Sequence, residues 1–143
     1  MDCRGQHLKD LDFSGRHLRW VRLTGARIEH CNFDGATLEG VIADFAVLEH
    51  STFRDSLIIE SVFAGSRIYR CNFYSATADQ CNFNAVQSEE TDFSDASLRR
   101  SRFINARLTT VKFINCDIRH AFFQFSERHE VIFKHSNNDE AFF

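Results

Sequence analysis

The sequence predicts an all-β solenoid of square cross-section, and three observations carry that prediction. A small residue recurs at every fifth position, a large apolar residue follows two places later, and corner-forming residues gather two places after that. Read in fives from Val21 to Ala141, all twenty-five positions are Ala, Cys, Ser, Thr or Val, and no insertion breaks the frame. Two residues on stand Phe33, Leu38, Leu48, Phe53, Ile58, Phe63 and Ile68. All six glycines fall two further, in a column shared with Asp10, Asp55, Asp95, Asn105 and Asn115. Gly adopts positive φ freely, and Asn and Asp close Asx turns, so each five-residue unit reads as a short extended side ending in a corner. Its small and large residues point inward and the other three outward. A period of five does not keep one face of a 3.6-residue helix, which excludes a helical reading. The chain contains no Pro, consistent with backbone N–H groups being needed in ladders nearly everywhere.

The number of sides follows from a second period. From position 93 to 123 the large residues alternate Phe, Leu, Phe, Leu, Phe, Ile, Phe. Only an even number of sides collects Phe on particular faces. With four sides, and twenty residues per coil, the first side centres on Leu23, Ala43, Phe63, Phe83, Phe103, Phe123 and Phe143. The second side is aliphatic, with Leu8, Ile28, Leu48, Ile68 and Leu108. The third is the core stack Phe13, Phe33, Phe53, Phe73, Phe93, Phe113 and Phe133, and the fourth is Leu18, Leu38, Ile58, Leu98 and Ile118. Two facing ring columns and two facing aliphatic columns fill a square section and let rings stack along its axis. Ala78 and Ser88 put small centres on opposite sides of one coil, where repacking by neighbouring Phe is expected.

At 143 residues the chain is expected to form a single domain over 1–143, of about seven coils and roughly 34 Å in length. Residues 1–20 read as a less regular N-terminal coil. Residues 124–143 read as a degenerate C-terminal coil, with Arg128 and Asn138 at centre positions. Single coils do not bury enough to fold alone, so the stack is cooperative.

The triplets Cys31-Asn32-Phe33, Cys71-Asn72-Phe73, Cys81-Asn82-Phe83 and Thr91-Asp92-Phe93 carry a resemblance to the pentapeptide-repeat family that covers essentially the whole chain. The resemblance implies a right-handed quadrilateral β-helix. The chain departs from the family's Asp or Asn before the centre at Ile42, Val62, Arg102, Arg107 and Phe122.

Little in the sequence reads as catalysis. There is no Gly-rich phosphate loop, H-E-x-x-H motif or nucleophile elbow, and a straight rod without inserted loops offers no deep pocket. No enzyme activity and no cofactor are expected. His30 and His50, each preceded by Glu (Glu29, Glu49), stack at one corner, and a metal there is a minor alternative to solvated side chains. Cys31, Cys71, Cys81 and Cys116 sit in the small inward column and read as structural thiols, which suits a reducing cytoplasm. No apolar run is long enough for a membrane helix and the N-terminus has no signal-peptide core, so neither membrane nor export is expected.

The outer faces carry more. None exceeds a net charge of -2, and Arg99, Arg100 and Arg102 are diluted by Glu89, Glu90 and Asp95, so direct nucleic-acid binding is not expected. The first face holds only Asp2, Arg4, Arg22, Asp44 and Arg102 as charges, and carries Ile42, Phe45, Val62, Ile104, Phe122, Phe125 and Phe142. Such a strip reads as an interface, richest towards the C-terminal end. The expected function is a non-enzymatic scaffold docking a protein partner, or itself as a homodimer through the C-terminal end. The family resemblance implies an alternative, a DNA mimic that binds DNA gyrase and protects it. A mimic of this length would want roughly twenty net negative charges, whereas 20 acids here meet 17 bases. Nor does any segment read as the C-terminal helix by which gyrase-protecting members dimerise.

Overall fold

The computed structural model describes all 143 residues. Ten three-residue strands follow one another: β1 (His7–Lys9), β2 (His17–Arg19), β3 (Arg27–Glu29), β4 (Thr37–Glu39), β5 (Val47–Glu49), β6 (Leu57–Ile59), β7 (Arg67–Tyr69), β8 (Gln87–Glu89), β9 (Arg107–Thr109) and β10 (Glu127–His129). Every pairing is parallel. The register is twenty in every pairing, as in Leu8 on Ile28, Leu48 on Ile68 and Ser88 on Leu108. The second face is the sheet β1-β3-β5-β7-β8-β9-β10, and the fourth is β2-β4-β6 continued by bridges through Thr77, Ser97 and Asp117. Bridges alone hold the first face, from Asp2 to Phe142, and the third, from Asp12 to Ile132. The fold is a right-handed quadrilateral β-helix.

Seven strands stack on the second face, so six complete coils separate the first from the last, slightly fewer than the seven expected. The shortfall lies at the C-terminal end. Asn138 is a polar residue at a centre position, and the chain there enters a 3-10 turn over Asn138–Glu140 instead of another side. Ser136 and Asn137 tie this turn down. The Cys116 N–H donates to Ser136 Oγ at 2.9 Å and the Ile118 N–H to Asn137 Oδ1 at 2.8 Å.

The corners explain why the frame never slips. All 27 residues at positions 5, 10, 15 and so on to 135 have φ between 48° and 67°, and only six of them are Gly. Left-handed backbone costs a non-Gly residue roughly 1–2 kcal/mol. Corner N–H groups recover this by donating to the coil above, as Asp10 N does to Glu29 O at 3.0 Å and Thr110 N to His129 O at 2.9 Å. Sequence marks such corners only where Gly, Asn or Asp stands. Trp20, Arg70 and Thr110 take the same conformation because the ladders on both sides demand it.

Inside, 36 buried hydrophobic residues form one cluster. Phe33, Phe53, Phe73, Phe93 and Phe113 are buried, while Phe13 and Phe133 are half-buried at the two ends. Rings stack along each Phe column, Phe33 on Phe53 at 4.7 Å and Phe53 on Phe73 at 4.5 Å between centroids. The two columns meet edge to face across the section, for example Phe103 with Phe113 at 5.6 Å. Over the coil holding Ala78 and Ser88 the rings do not close the gap. Phe73 and Phe83 stand 6.4 Å apart, the widest of these crossings, and Ser88 Oγ is buried without a hydrogen-bond partner. The wall itself keeps its register through Ser88, and on its outer side an open hollow of about 400 Å³ is flanked by Arg67, Tyr69, Glu89 and Arg107.

Candidate interaction surface

The first face is set by its bridges. Positions before each centre run Arg22, Ile42, Val62, Asn82, Arg102, Phe122 and Phe142, each directly above the last. Side chains at these positions point away from the core because the flanking small and central residues point into it. Phe125 is 84% exposed, Phe45 68%, Phe142 44% and Ile42 38%. Val62, Ile104 and Phe122 are half-buried by their neighbours. All seven candidate residues therefore lie on one face.

They fall into two groups. Ile42, Phe45 and Val62 form the N-terminal one; the Phe45 ring leans over Gly65, where an added Cβ would come within 2.7 Å of it. Ile104, Phe122, Phe125 and Phe142 form the C-terminal one. There Phe122 and Phe142 stack at 5.1 Å, and His120 approaches Phe142 at 6.2 Å from the neighbouring corner. Between the groups lie Asn82, Asn84 and Arg102. Asn84 Oδ1 accepts the Ile104 N–H at 3.0 Å, which fixes the amide to the wall. Asp44 is held by the Thr24 hydroxyl at 2.5 Å.

At the C-terminal end, Arg128 occupies a centre position yet turns outward, its guanidinium 4.9 Å from the centroid of Phe143. Sequence reasoning did not single out Phe143 or Trp20, which are 46% and 59% exposed. Trp20 lies on the corner joining the fourth and first faces and leans over Gly40, extending the apolar surface towards the N-terminus. The signal was present in the corner column, where the bare Gly40 follows Trp20 by twenty.

The other faces are charged and internally paired. Arg99 meets Asp79 at 2.6 Å, Arg119 meets Asp117 at 2.6 Å, Arg70 meets Glu90 at 2.7 Å and Arg27 meets Glu49 at 3.0 Å. Burial alone would push Asp79 up, but hydrogen bonds from Arg99 and Ser97 win and hold it below the ordinary carboxylate range. The hydrogen bond from His7 likewise holds Glu29 down. His30 and His50 do stack, at 4.9 Å and 7°. Glu29 sets one carboxylate oxygen 3.0 Å from His7 and the other only 4.0 Å from His30, Glu49 turns to Arg27, and no three His, Cys, Asp or Glu side chains converge. The five cysteines are free and buried. Desolvation pushes Cys71 and Cys116 up to about 12 and Cys81 up to about 11, leaving them poor nucleophiles.

Residues 33–123, well over half of the chain, match the family described as the SV2A/B/C luminal domain, and residues 2–40 match pentapeptide repeats (8 copies). The chain belongs to the pentapeptide-repeat family, its central coils being of the kind the luminal-domain description covers. Among solved structures it is similar to the pentapeptide repeat protein Rfr23 of the cyanobacterium Cyanothece 51142, with 14% identity over 99% of this chain and 90% of that one and a TM-score of 0.56. HetL of Nostoc sp. strain PCC 7120, involved in heterocyst differentiation regulation, matches at 15% identity over 95% and 87% of the two chains, with a TM-score of 0.33. A trypsin-treated form of QnrB1, a plasmid-mediated fluoroquinolone resistance protein, matches at 15% over 96% and 77%, with a TM-score of 0.41. At these identities the likeness is one of fold, and the Rfr23 match is the one that carries it. No curated protein sequence matches the chain. No helix is long and apolar enough to cross a membrane.

Proposed function

We propose that the protein is a non-enzymatic interaction scaffold whose first face and C-terminal end dock a protein. One observation carries this reading: Phe45, Phe125 and Phe142 stand open to solvent on the face with the fewest charges, whereas on the other faces charged pairs such as His17 with Glu39, Arg27 with Glu49 and Arg99 with Asp79 line the surface. Contiguous exposed apolar surface of this kind marks interfaces. The shallow, open hollows on the remaining faces favour binding of another macromolecular surface over turnover of a small substrate. DNA mimicry draws less support, since a mimic needs unpaired carboxylates in a dense array and Asp79, Asp117, Glu49 and Glu90 each face an Arg.

The test is capture of proteins from the native host on immobilised wild type and on the Phe122→Asp/Phe142→Asp variant. A host protein, or a second copy of this chain supplied alongside, retained by wild type and lost by the variant is the expected result; equal retention by both, or retention of neither kind of partner by wild type, overturns the reading. Gyrase supercoiling with and without quinolone checks the alternative, where no effect at micromolar protein is expected.

A further inference from the structure

We infer that the partner of the first face is a second copy of this chain, docked antiparallel about a twofold axis that crosses the face between Asn82 and Arg102. The inference rests on the docking reading above and names its partner. In a twofold interface each residue must suit its own symmetry mate. The outward bridge column reads Ile42, Val62, Asn82, Arg102, Phe122, Phe142, which is apolar, apolar, polar, polar, apolar, apolar. Those six levels span about 24 Å at the inter-strand spacing. A twofold axis perpendicular to the rod, midway along them, places Ile42 on the mate's Phe142, Val62 on its Phe122, and Asn82 on its Arg102. Along this column apolar meets apolar, and its one kind of polar crossing, made twice by symmetry, is an amide facing a guanidinium.

The other columns agree with this register. Phe125, the most exposed side chain of the strip, is carried to the Phe45–Gly65 corner of the mate, where one ring already lies over a residue with no side chain. Asn84 comes opposite Ile104, but its carbonyl is already satisfied by a backbone N–H. Asp44 lies at the rim and keeps its bond to Thr24. Side-by-side pairing with the rods parallel fails the same test. It would set Ile42 against Asp44, Arg102 against Ile104 and Phe122 against Gln124.

Two features fix the strength. The strip is roughly 12 Å wide, so the pair buries about 600 Å² in all, below the ~1,200 Å² of a stable complex, and a weak, transient pair is expected. Arg102 forms no ion pair within the chain, and the axis brings two such guanidinium groups within about one coil of each other. Their repulsion opposes docking, so added salt tightens the pair.

The experiment combines crosslinking with sedimentation on the full chain. Two facing sheets stand about 10 Å apart, beyond disulfide reach but within that of a short bis-maleimide. Val62→Cys mixed with Phe122→Cys is expected to crosslink at least tenfold faster than either variant alone, because like positions lie about 17 Å apart across the axis. The five native thiols are buried and stay silent. Sedimentation from about 5 μM to 1 mM is expected to show a dimer that Phe122→Asp abolishes and that Arg102→Gln tightens several-fold, with circular dichroism unchanged. Self-crosslinking as fast as the mixture, or a monomer at 1 mM, overturns the proposal. A monomer that still captures a host protein in a Phe122-dependent way overturns the twofold pair alone; loss of both overturns the docking reading as well.

Discussion

The indole of Trp20 occupies the space that a side chain at Gly40 would need: a Cβ there would stand 2.2 Å from Trp20 Cε3 and Cζ3. Gly25, at another corner with the same positive φ, has nothing within 4 Å of that point. The two sites separate backbone strain from lost packing. Gly25→Ala should cost about 1 kcal/mol through its left-handed backbone alone. Gly40→Ala should cost about 1 kcal/mol more, because the indole is displaced. In a Trp20→Ala background the excess should disappear, and the Trp fluorescence of Gly40→Ala should shift to the red. Equal costs at both glycines, measured by urea unfolding, would show that the indole contributes nothing.

Ser88 stands where its column otherwise holds Leu48, Ile68 and Leu108, and its hydroxyl is buried without a partner. An unsatisfied buried hydroxyl costs about 1–3 kcal/mol. Ser88→Ala should therefore stabilise the protein by about 1 kcal/mol. Ser88→Val should do at least as well, by filling the section between Phe73 and Phe83. A fall in the unfolding midpoint for both variants would contradict this.

Phe93 touches Phe73 and Phe113 along its column and Phe83 and Phe103 across the section, and is 1% exposed. Its truncation to Ala should cost about 3–5 kcal/mol. Phe13, half-buried and stacked only on Phe33, should cost about 1–2 kcal/mol on the same change. Denaturant midpoints measure the difference, and equal losses would refute the packing hierarchy.

The thiols give a pH dependence. Their folded values are raised, Cys71 and Cys116 to about 12 and Cys81 to about 11, against an ordinary value of 9.0. The unfolded chain thus releases these protons first as pH climbs. Their contribution to stability is complete below about pH 9 and is lost as pH rises towards and through 11–12. Replacing Cys71 by Ala should flatten that alkaline loss in a chemical-denaturation series. Ellman's reagent at pH 8 should find no reactive thiol in the native protein and five after denaturation.

How much of this was legible in the sequence depends on whether a residue's role is fixed by its column. Phe33, Phe53 and Phe73 could be stacked on paper because an inward residue must match those twenty away on either side. The apolar face followed from the same sorting, so Ile42, Phe45, Val62, Ile104, Phe122, Phe125 and Phe142 landed together. What lay outside the pattern was set by rotamers and by neighbouring coils. The lean of Trp20 over Gly40 depends on a side-chain torsion. The left-handed backbone of Arg70 and Thr110 is imposed by hydrogen bonds and not by their own preferences. The hollow outside Ser88 depends on how the long side chains of Arg67, Tyr69 and Arg107 splay, which no column fixes.

The unbroken spacing of corners has a consequence for how such a chain can change length. Excising five residues at any corner would leave the tube closed but rotate everything beyond it by a quarter turn, setting benzene rings over aliphatic side chains. Excising ten would restore ring over ring and swing the downstream half of the oily strip to the opposite wall. Variation in length is thereby quantised, and each step re-addresses the surface while leaving the interior nearly as it was.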